Sequence, residues 1–206
     1  MKMMKIGSHN SMTYAEPVHG YFKLFRWAYR CQKLDIIHQL KANVRTFDIR
    51  VRQNKTGLWV FAHGVVEFKP DVFEILDILN TYECRVRLIW EIDEFHESKP
   101  FIDFCKKIEE MYPNIAFFEG RSKYDWVCVY NFNLNKDGNP SLDTDQFVGS
   151  MMSWWGKFMP IVWHYFNKEK SRNLAKTSNK SVVLLDFIEE GEIEVKSNKK
   201  WKKKKN

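Results

Sequence analysis

Short runs rich in β-branched and aromatic residues alternate along this chain with stretches whose apolar residues fall at helical spacing. That alternation constrains the fold more than any other feature. Residues 3–8, 44–51, 58–64, 86–92, 126–132 and 181–188 read as strands, and segments around 28–41, 70–82, 100–111 and 158–176 read as helices. In 70–82, Val72, Ile75, Leu76 and Leu79 make one apolar stripe after a Pro70-Asp71 start signal. Strand–helix alternation predicts a parallel sheet covered by helices, either doubly wound or closed into a barrel.

The polar residues decide between the two. Side chains alternate faces along a strand, so Thr46, Asp48 and Arg50 share one face of VRTFDIRV while Phe47, Ile49 and Val51 share the other. The same split sets Ile89, Glu91 and Asp93 against Leu88, Trp90 and Ile92, and Asp186 against Leu185 and Phe187. His9, Asp48 and Arg50, His63, Glu91 and Asp93, and Asp186 all fall at carboxyl ends of strands. A barrel gathers such residues at one mouth, where barrel enzymes carry their sites. The expected fold is therefore α/β, a distorted TIM (β/α) barrel, trimmed because 206 residues fall short of the usual ~250.

Charge separates this body from a tail. The chain carries 33 Lys+Arg and 26 Asp+Glu, but residues 196–206, KSNKKWKKKKN, hold seven lysines and no acid. The rest is formally neutral, which argues against a nucleic-acid-binding domain. The expected organisation is one catalytic domain over 1–195 followed by a disordered lysine-rich tail over 196–206. With 44% hydrophobic residues the body should fold. It has no apolar run of ~18 residues and no signal-peptide pattern at its start, so a cytoplasmic or peripheral-membrane location is expected, as a monomer. Cys31, Cys84, Cys105 and Cys128 lie far apart and read as buried thiols rather than as a zinc site or disulfide framework.

Two histidines, an arginine and several carboxylates are what metal-free phosphodiester cleavage needs: a proton acceptor, a proton donor and a guanidinium for the phosphoryl oxygens. Five segments in this order resemble the X domain of phosphatidylinositol-specific phospholipases C: IGSHNSMTY (6–14), VRTFDIRV (44–51), FAHG (61–64), RLIWE (87–91) and VLLDFI (183–188). The resemblance implies that His9, paired with Asp186, deprotonates the inositol 2-hydroxyl. Arg50 would stabilise the pentacoordinate phosphorus, and His63 would protonate the departing diacylglycerol oxygen. Asp48 would assist the hydroxyl or the guanidinium, and Asn10 and Glu91 would line the substrate site. The implied products are diacylglycerol and inositol 1,2-cyclic phosphate, from phosphatidylinositol-type lipids or glycosylated anchors.

The sequence departs from that pattern at Asn10, where metal-independent bacterial members usually have Asp. Calcium-dependent members have Asn there and Glu at the position of Glu91, so Asn10, Asp48 and Glu91 form an alternative Ca²⁺ ligand set. Arg50 argues against it, because it would occupy and repel the cation's place. The expected catalyst uses no metal and no cofactor, with a Glu91–Arg50 ion pair. Residues 121–127 resemble the family's R-G-K stretch faintly, and Asn131 falls where a basic substrate contact is expected.

Alternatives are a calcium-dependent phospholipase C, a glycerophosphodiester phosphodiesterase, disfavoured by the missing H-R-G opening, and an inactive lipid-binding module. An anionic membrane surface is the expected partner alongside the phospholipid. YFKLFRWAY (21–29) and MMSWWG (151–156) read either as helices packed on the barrel or as interfacial segments at its rim. The lysine tail with Trp201 reads as a solvated end or a lipid-attracted one. The remaining histidines, His19, His38, His96 and His164, read as structural or surface residues.

Overall fold

The computed structural model describes residues 6–91, 99–119, 145–148, 150, 153–177 and 182–189. In chain order these form β1 (Ile6–Ser8), a short 3-10 helix (Gly20–Phe25), α1 (Arg26–Tyr29), α2 (Ile36–Lys41), β2 (Thr46–Gln53), β3 (Trp59–His63) and β4 (Val66–Asp71). They continue with α3 (Val72–Asn80), β5 (Cys84–Trp90), α4 (Lys99–Met111), β6 (Ile115–Glu119), β7 (Asp145–Val148), α5 (Trp154–Phe158), α6 (Pro160–Thr177) and β8 (Val182–Leu185).

Six strands run parallel in the order β7-β8-β1-β2-β5-β6. Phe47, Ile49 and Val51 turn to the helical side and are buried against the apolar stripes of α3 (Val72, Ile75, Leu76, Leu79) and α4 (Phe101, Phe104, Ile108) in one core. Each such side chain contributes roughly 1.5–3 kcal/mol by leaving water. Helix α3 starts at Asp71, whose carboxylate accepts from the amides of Phe73 (2.8 Å) and Glu74 (3.1 Å). Asp71 is thus the N-cap, and Pro70 still belongs to β4 rather than to the first helical turn.

Three expectations need correction. The fold is α/β as expected, but the described strands form an open sheet whose outer members are β4, β6 and β7, so a closed barrel is not seen among them. The third strand is not a parallel barrel strand: β3 runs antiparallel to β2 and pairs again with β4. Only residues 54–58 join β2 to β3, too few for the dozen or more that a parallel crossover requires. Asn54 Oδ1 closes this turn by accepting from the amides of Thr56 and Leu58, each at 3.0 Å. Lastly, the helix expected over 28–41 breaks into α1 and α2. Residues between them are drawn inward where the amides of Cys31 (2.9 Å) and Gln32 (3.1 Å) donate to Thr13 Oγ1.

Strands β4, β6 and β7 were not expected from the sequence, although Val66 and Phe68 buried between the more exposed Glu67 and Lys69 do carry the two-residue period. The strand expected at 126–132, Asp93, the 121–127 stretch, Asn131, Cys128, His96 and the tail lie outside the described residues. No helix among the described residues is long and apolar enough to cross a membrane.

Candidate active site

The arrangement of β2 explains how two distant histidines meet. One edge of β2 is shared by two strands: β1 pairs at its start (Ser8 with Phe47), and β3 pairs at its end (Val51 with Phe61, Gln53 with Trp59). Because β1 and β3 run in opposite directions along that edge, their carboxyl ends point at each other. His9 follows β1 and His63 ends β3.

Strand β1 is pressed between β2 and β8, so closely that a Cβ on Gly7 would lie 2.8 Å from Thr46 O and 2.8 Å from Leu184 Cδ2. Only glycine fits that approach. The chain then turns through Asn10, whose φ of 44° is left-handed, a conformation asparagine adopts more readily than most residues. Its amide donates to Asp48 Oδ2 at 3.0 Å, which ties the turn to β2. Gln32 braces the same loop, donating from Nε2 to the carbonyls of His9 (2.9 Å) and Leu185 (2.8 Å).

His9 and Asp186 are both buried, with Nδ1 2.6 Å from Oδ1. Asp186 Oδ2 accepts from the Ser150 amide at 2.5 Å. A carboxylate on Nδ1 fixes the proton there and leaves Nε2 as the acceptor. That Nε2 lies 3.5 Å from Arg50 Nη2 and 3.8 Å from Asp48 Oδ2. Burial would raise the Asp186 carboxyl, but the imidazole and the Ser150 amide outweigh it and hold the group below the usual carboxylate range.

Arg50 reaches Glu91 Oε2 at 3.1 Å, the ion pair the sequence suggested, and its Nε lies 3.8 Å from Asp48 Oδ2. Glu91 Oε1 also accepts from the Gly64 amide at 2.7 Å, so one carboxylate holds both the guanidinium and the turn that carries His63. Asp48 is fully buried and meets Arg87 Nη1 at 3.2 Å. Burial pushes Asp48 upward, yet Arg87 and Arg50 together keep it ionised and below its ordinary value.

His63 Nδ1 donates to the Tyr29 carbonyl at 2.9 Å, which aims Nε2 into the site, 3.2 Å from Asn10 Nδ2. Burial, then the positive charge of Arg50, lowers this imidazole to about 4. Asn10 Nδ2 also approaches Cys31 Sγ at 3.6 Å, while Asn10 Oδ1 is buried and accepts no hydrogen bond among the described residues.

His9, Asn10, Asp48, Arg50, His63, Glu91 and Asp186 therefore converge on one site. Of the candidate Ca²⁺ ligands, Asp48 and Glu91 each lie against Arg50, and the Asn10 side chain is turned to His63 and Cys31. A divalent cation there would have to displace a guanidinium from both carboxylates.

Four participants were missed from the sequence. Arg87 shares the face of Ile89 and Glu91, so strand parity was enough to find it. Gln32, Ser150 and Cys31 carry no such signal. Cys31, Cys84 and Cys105 are buried and none is in a disulfide, as expected, but Cys31 borders the site. Of the other histidines, His38 pairs with Asp35 and His164 packs on Phe187, in keeping with structural roles.

The rim aromatics divide between the two readings. Phe22 and Tyr29 pack inward, whereas Tyr21, Leu24, Phe25 and Trp27 face outward. Trp154 and Trp155 are about two-thirds exposed (65% and 64%), and Tyr165 and Phe166 on α6 are exposed as well. Met151 and Met152 lie outside the described residues.

No protein-family profile and no curated protein matches the sequence. Solved structures do match the fold. The phosphatidylinositol-specific phospholipase C from Listeria monocytogenes superposes with a TM-score of 0.59 at 14% identity, over 93% of this chain and 90% of that one. A double mutant of the phosphatidylinositol-specific phospholipase C from Staphylococcus aureus gives 0.56 at 14% identity, over 90% and 86%. A further structure of the S. aureus enzyme, concerned with modulation of its membrane binding, gives the same values. The fold of this chain is that of the bacterial phosphatidylinositol-specific phospholipases C.

Proposed function

We propose that this protein is a phosphodiesterase that cleaves phosphatidylinositol-type lipids, or glycosylated anchors built on them, to diacylglycerol and inositol 1,2-cyclic phosphate. The observation that carries the proposal is the convergence of a carboxylate-backed imidazole, a guanidinium and a second imidazole carried by four strands: His9 after β1 with Asp186 after β8, Arg50 in β2, and His63 at the end of β3.

His9 Nε2 takes the proton of the inositol 2-hydroxyl as its oxygen attacks phosphorus. The imidazolium that forms is stabilised by Asp186 through Nδ1. Arg50, already beside Nε2, receives the phosphoryl oxygens whose charge grows in the transition state. Protonated His63 gives its Nε2 proton to the diacylglycerol oxygen as that bond breaks. The anionic phosphodiester favours the imidazolium, offsetting the low proton affinity of His63 in the free protein. Asp48 and Glu91 act on Arg50, holding the fork in place rather than touching the hydroxyl.

Metal-free chemistry is supported by Arg50 standing between the carboxylates a cation would need. The lipid substrate is supported by the fold likeness and by the outward aromatics of the 3-10 helix, α1, α5 and α6. Those elements contact one another, and they carry Lys23, Arg26 and Lys157, a pattern suited to an anionic bilayer surface. The lysine tail would add to that attraction.

The test is incubation with phosphatidylinositol vesicles, with and without EGTA, followed by phosphorus NMR. Cyclic phosphate released equally in both is expected. Loss with EGTA and restoration by Ca²⁺ would move the assignment to a metal-dependent phospholipase C. Vesicle binding without turnover would leave an inactive lipid-binding module.

A further inference from the structure

The side of His9 away from Arg50 holds a second chemical grouping. One ring nitrogen of His9, Cys31 Sγ and an Asp186 carboxylate oxygen lie within 4.8 Å of one another, and all three residues are buried; Nδ1 is the nitrogen that meets Asp186 Oδ1, at 2.6 Å. Nitrogen, sulfur and oxygen donors around a tetrahedral zinc sit ~2.0–2.3 Å from the ion, hence about 3.4–3.6 Å apart, so closing the cluster requires shifts on the order of 1 Å. A fourth donor is at hand. The Asn10 amide lies 3.6 Å from Cys31 Sγ, and its buried Oδ1 is without a hydrogen bond among the described residues. Turning the amide over presents that oxygen to an ion held by the thiolate.

We propose that His9, Cys31 and Asp186, with Asn10 as fourth donor, form an inhibitory site for a thiophilic divalent cation such as Zn²⁺. Thiolate and carboxylate together neutralise the ion's two charges, which a buried site demands. Burial and the nearby Asp186 raise the free Cys31 thiol well above its ordinary value. The metal must therefore displace the proton, and binding strengthens as pH rises.

Binding is a proton exchange. The Cys31 S–H proton leaves to solvent and sulfur binds the ion. The proton on His9 Nδ1 is also lost as that nitrogen becomes a ligand, and Nε2 takes one up, since a metal-bound neutral imidazole carries its proton on the other nitrogen. One proton is released in all. Nε2–H then points toward Asp48 Oδ2 and has no lone pair with which to accept the substrate's proton. The ion need not touch the substrate to stop the reaction. The inhibitory half of this inference rests on His9 being the base, as proposed above; the binding half does not.

The experiment separates the two. Untagged full-length protein, reduced with a phosphine, is titrated with Co²⁺ and followed by absorption. One equivalent should give the thiolate-to-cobalt band and the intense visible bands of a tetrahedral centre, and Zn²⁺ should remove both. Cys31→Ser should lose the thiolate band and bind at least ~10–100-fold more weakly, while Cys84→Ser and Cys105→Ser keep it. No band at saturating cobalt, or a band that survives in Cys31→Ser, overturns the site. X-ray absorption of the zinc-loaded wild type provides a check that needs no variant: one sulfur with nitrogen and oxygen neighbours is expected, and a shell with no sulfur or two overturns it. On phosphatidylinositol, Zn²⁺ should suppress turnover and Ca²⁺ or Mg²⁺ should not. Tight zinc binding with undiminished turnover would leave the site standing and remove its inhibitory role.

Discussion

His9 and Asp186 stand 177 positions apart in sequence and 2.6 Å apart in space, joining the end of β1 to the end of β8 across the strand pair Ser8–Leu185. Parallel register puts the residues after both strands at the same level, and the glycine at position 7 leaves room beside β1 for the Leu184 side chain and the Thr46 carbonyl.

Asp186→Asn should therefore keep the fold while reducing turnover by roughly 10²–10⁴-fold, because an amide stabilises neither the required tautomer nor the imidazolium. Cyclic phosphate release at saturating substrate measures this, and an unchanged rate would remove His9–Asp186 from the mechanism.

Asn10→Asp replaces an amide beside His63 Nε2 with a carboxylate that can accept from the imidazolium. The low proton affinity of His63, about 4 in the free protein, should rise. The alkaline limb of the kcat/KM profile should move to higher pH, and kcat/KM near neutrality should increase by about tenfold. A profile that does not move would show that His63 is not the titrating acid.

Arg87→Met leaves the Asp48 carboxylate buried after the loss of its partner at 3.2 Å, so destabilisation of about 3–5 kcal/mol is expected in urea unfolding. Adding Asp48→Asn should recover a large part of it. Additive losses in the double variant would mean that the two residues are not coupled.

His63 also shapes the acid sensitivity of the fold. Its folded value, about 4, lies below the unfolded ~6.5, so the unfolded chain binds more protons between those limits. Stability from this residue is complete above ~6.5 and is lost as pH falls toward 4. Its size is on the order of 1–2 kcal/mol given the ring's partial exposure. His63→Gln should flatten the stability–pH curve in that window, as measured by urea midpoints at successive pH values.

Trp154→Ala combined with Trp155→Ala removes two side chains that are mostly exposed, so thermal stability should hardly change. Affinity for anionic vesicles should drop by tenfold or more if these rings enter the headgroup region. Sedimentation with phosphatidylinositol vesicles gives the answer, and equal binding by wild type and variant would reassign the rim.

The site was legible in the sequence because its residues sit in strands, where side-chain parity and strand ends are local facts. Asp48 and Arg50 on one face of β2, Glu91 at the end of β5, and Asp186 after β8 follow from a two-residue period. By the same logic Arg87 was within reach. Cys31, Gln32 and Ser150 were not, because each lies in a link whose path is set by partners far along the chain: Thr13 for Cys31, the carbonyls of His9 and Leu185 for Gln32, and the Asp186 carboxylate for Ser150.

What the amino-acid order determined by itself was the α/β class, the apolar and polar faces of its strands, and which ionisable residues would share a face. Tertiary structure decided how those faces meet. It made β3 run back along β2 so that His63 confronts the end of β1, and set Arg50 between Asp48 and Glu91. It also brought Cys31 to the far side of His9. Faces depend on backbone geometry within a few residues, whereas these meetings depend on which strand edges pair, and strand pairing is settled by contacts between segments that the chain keeps far apart.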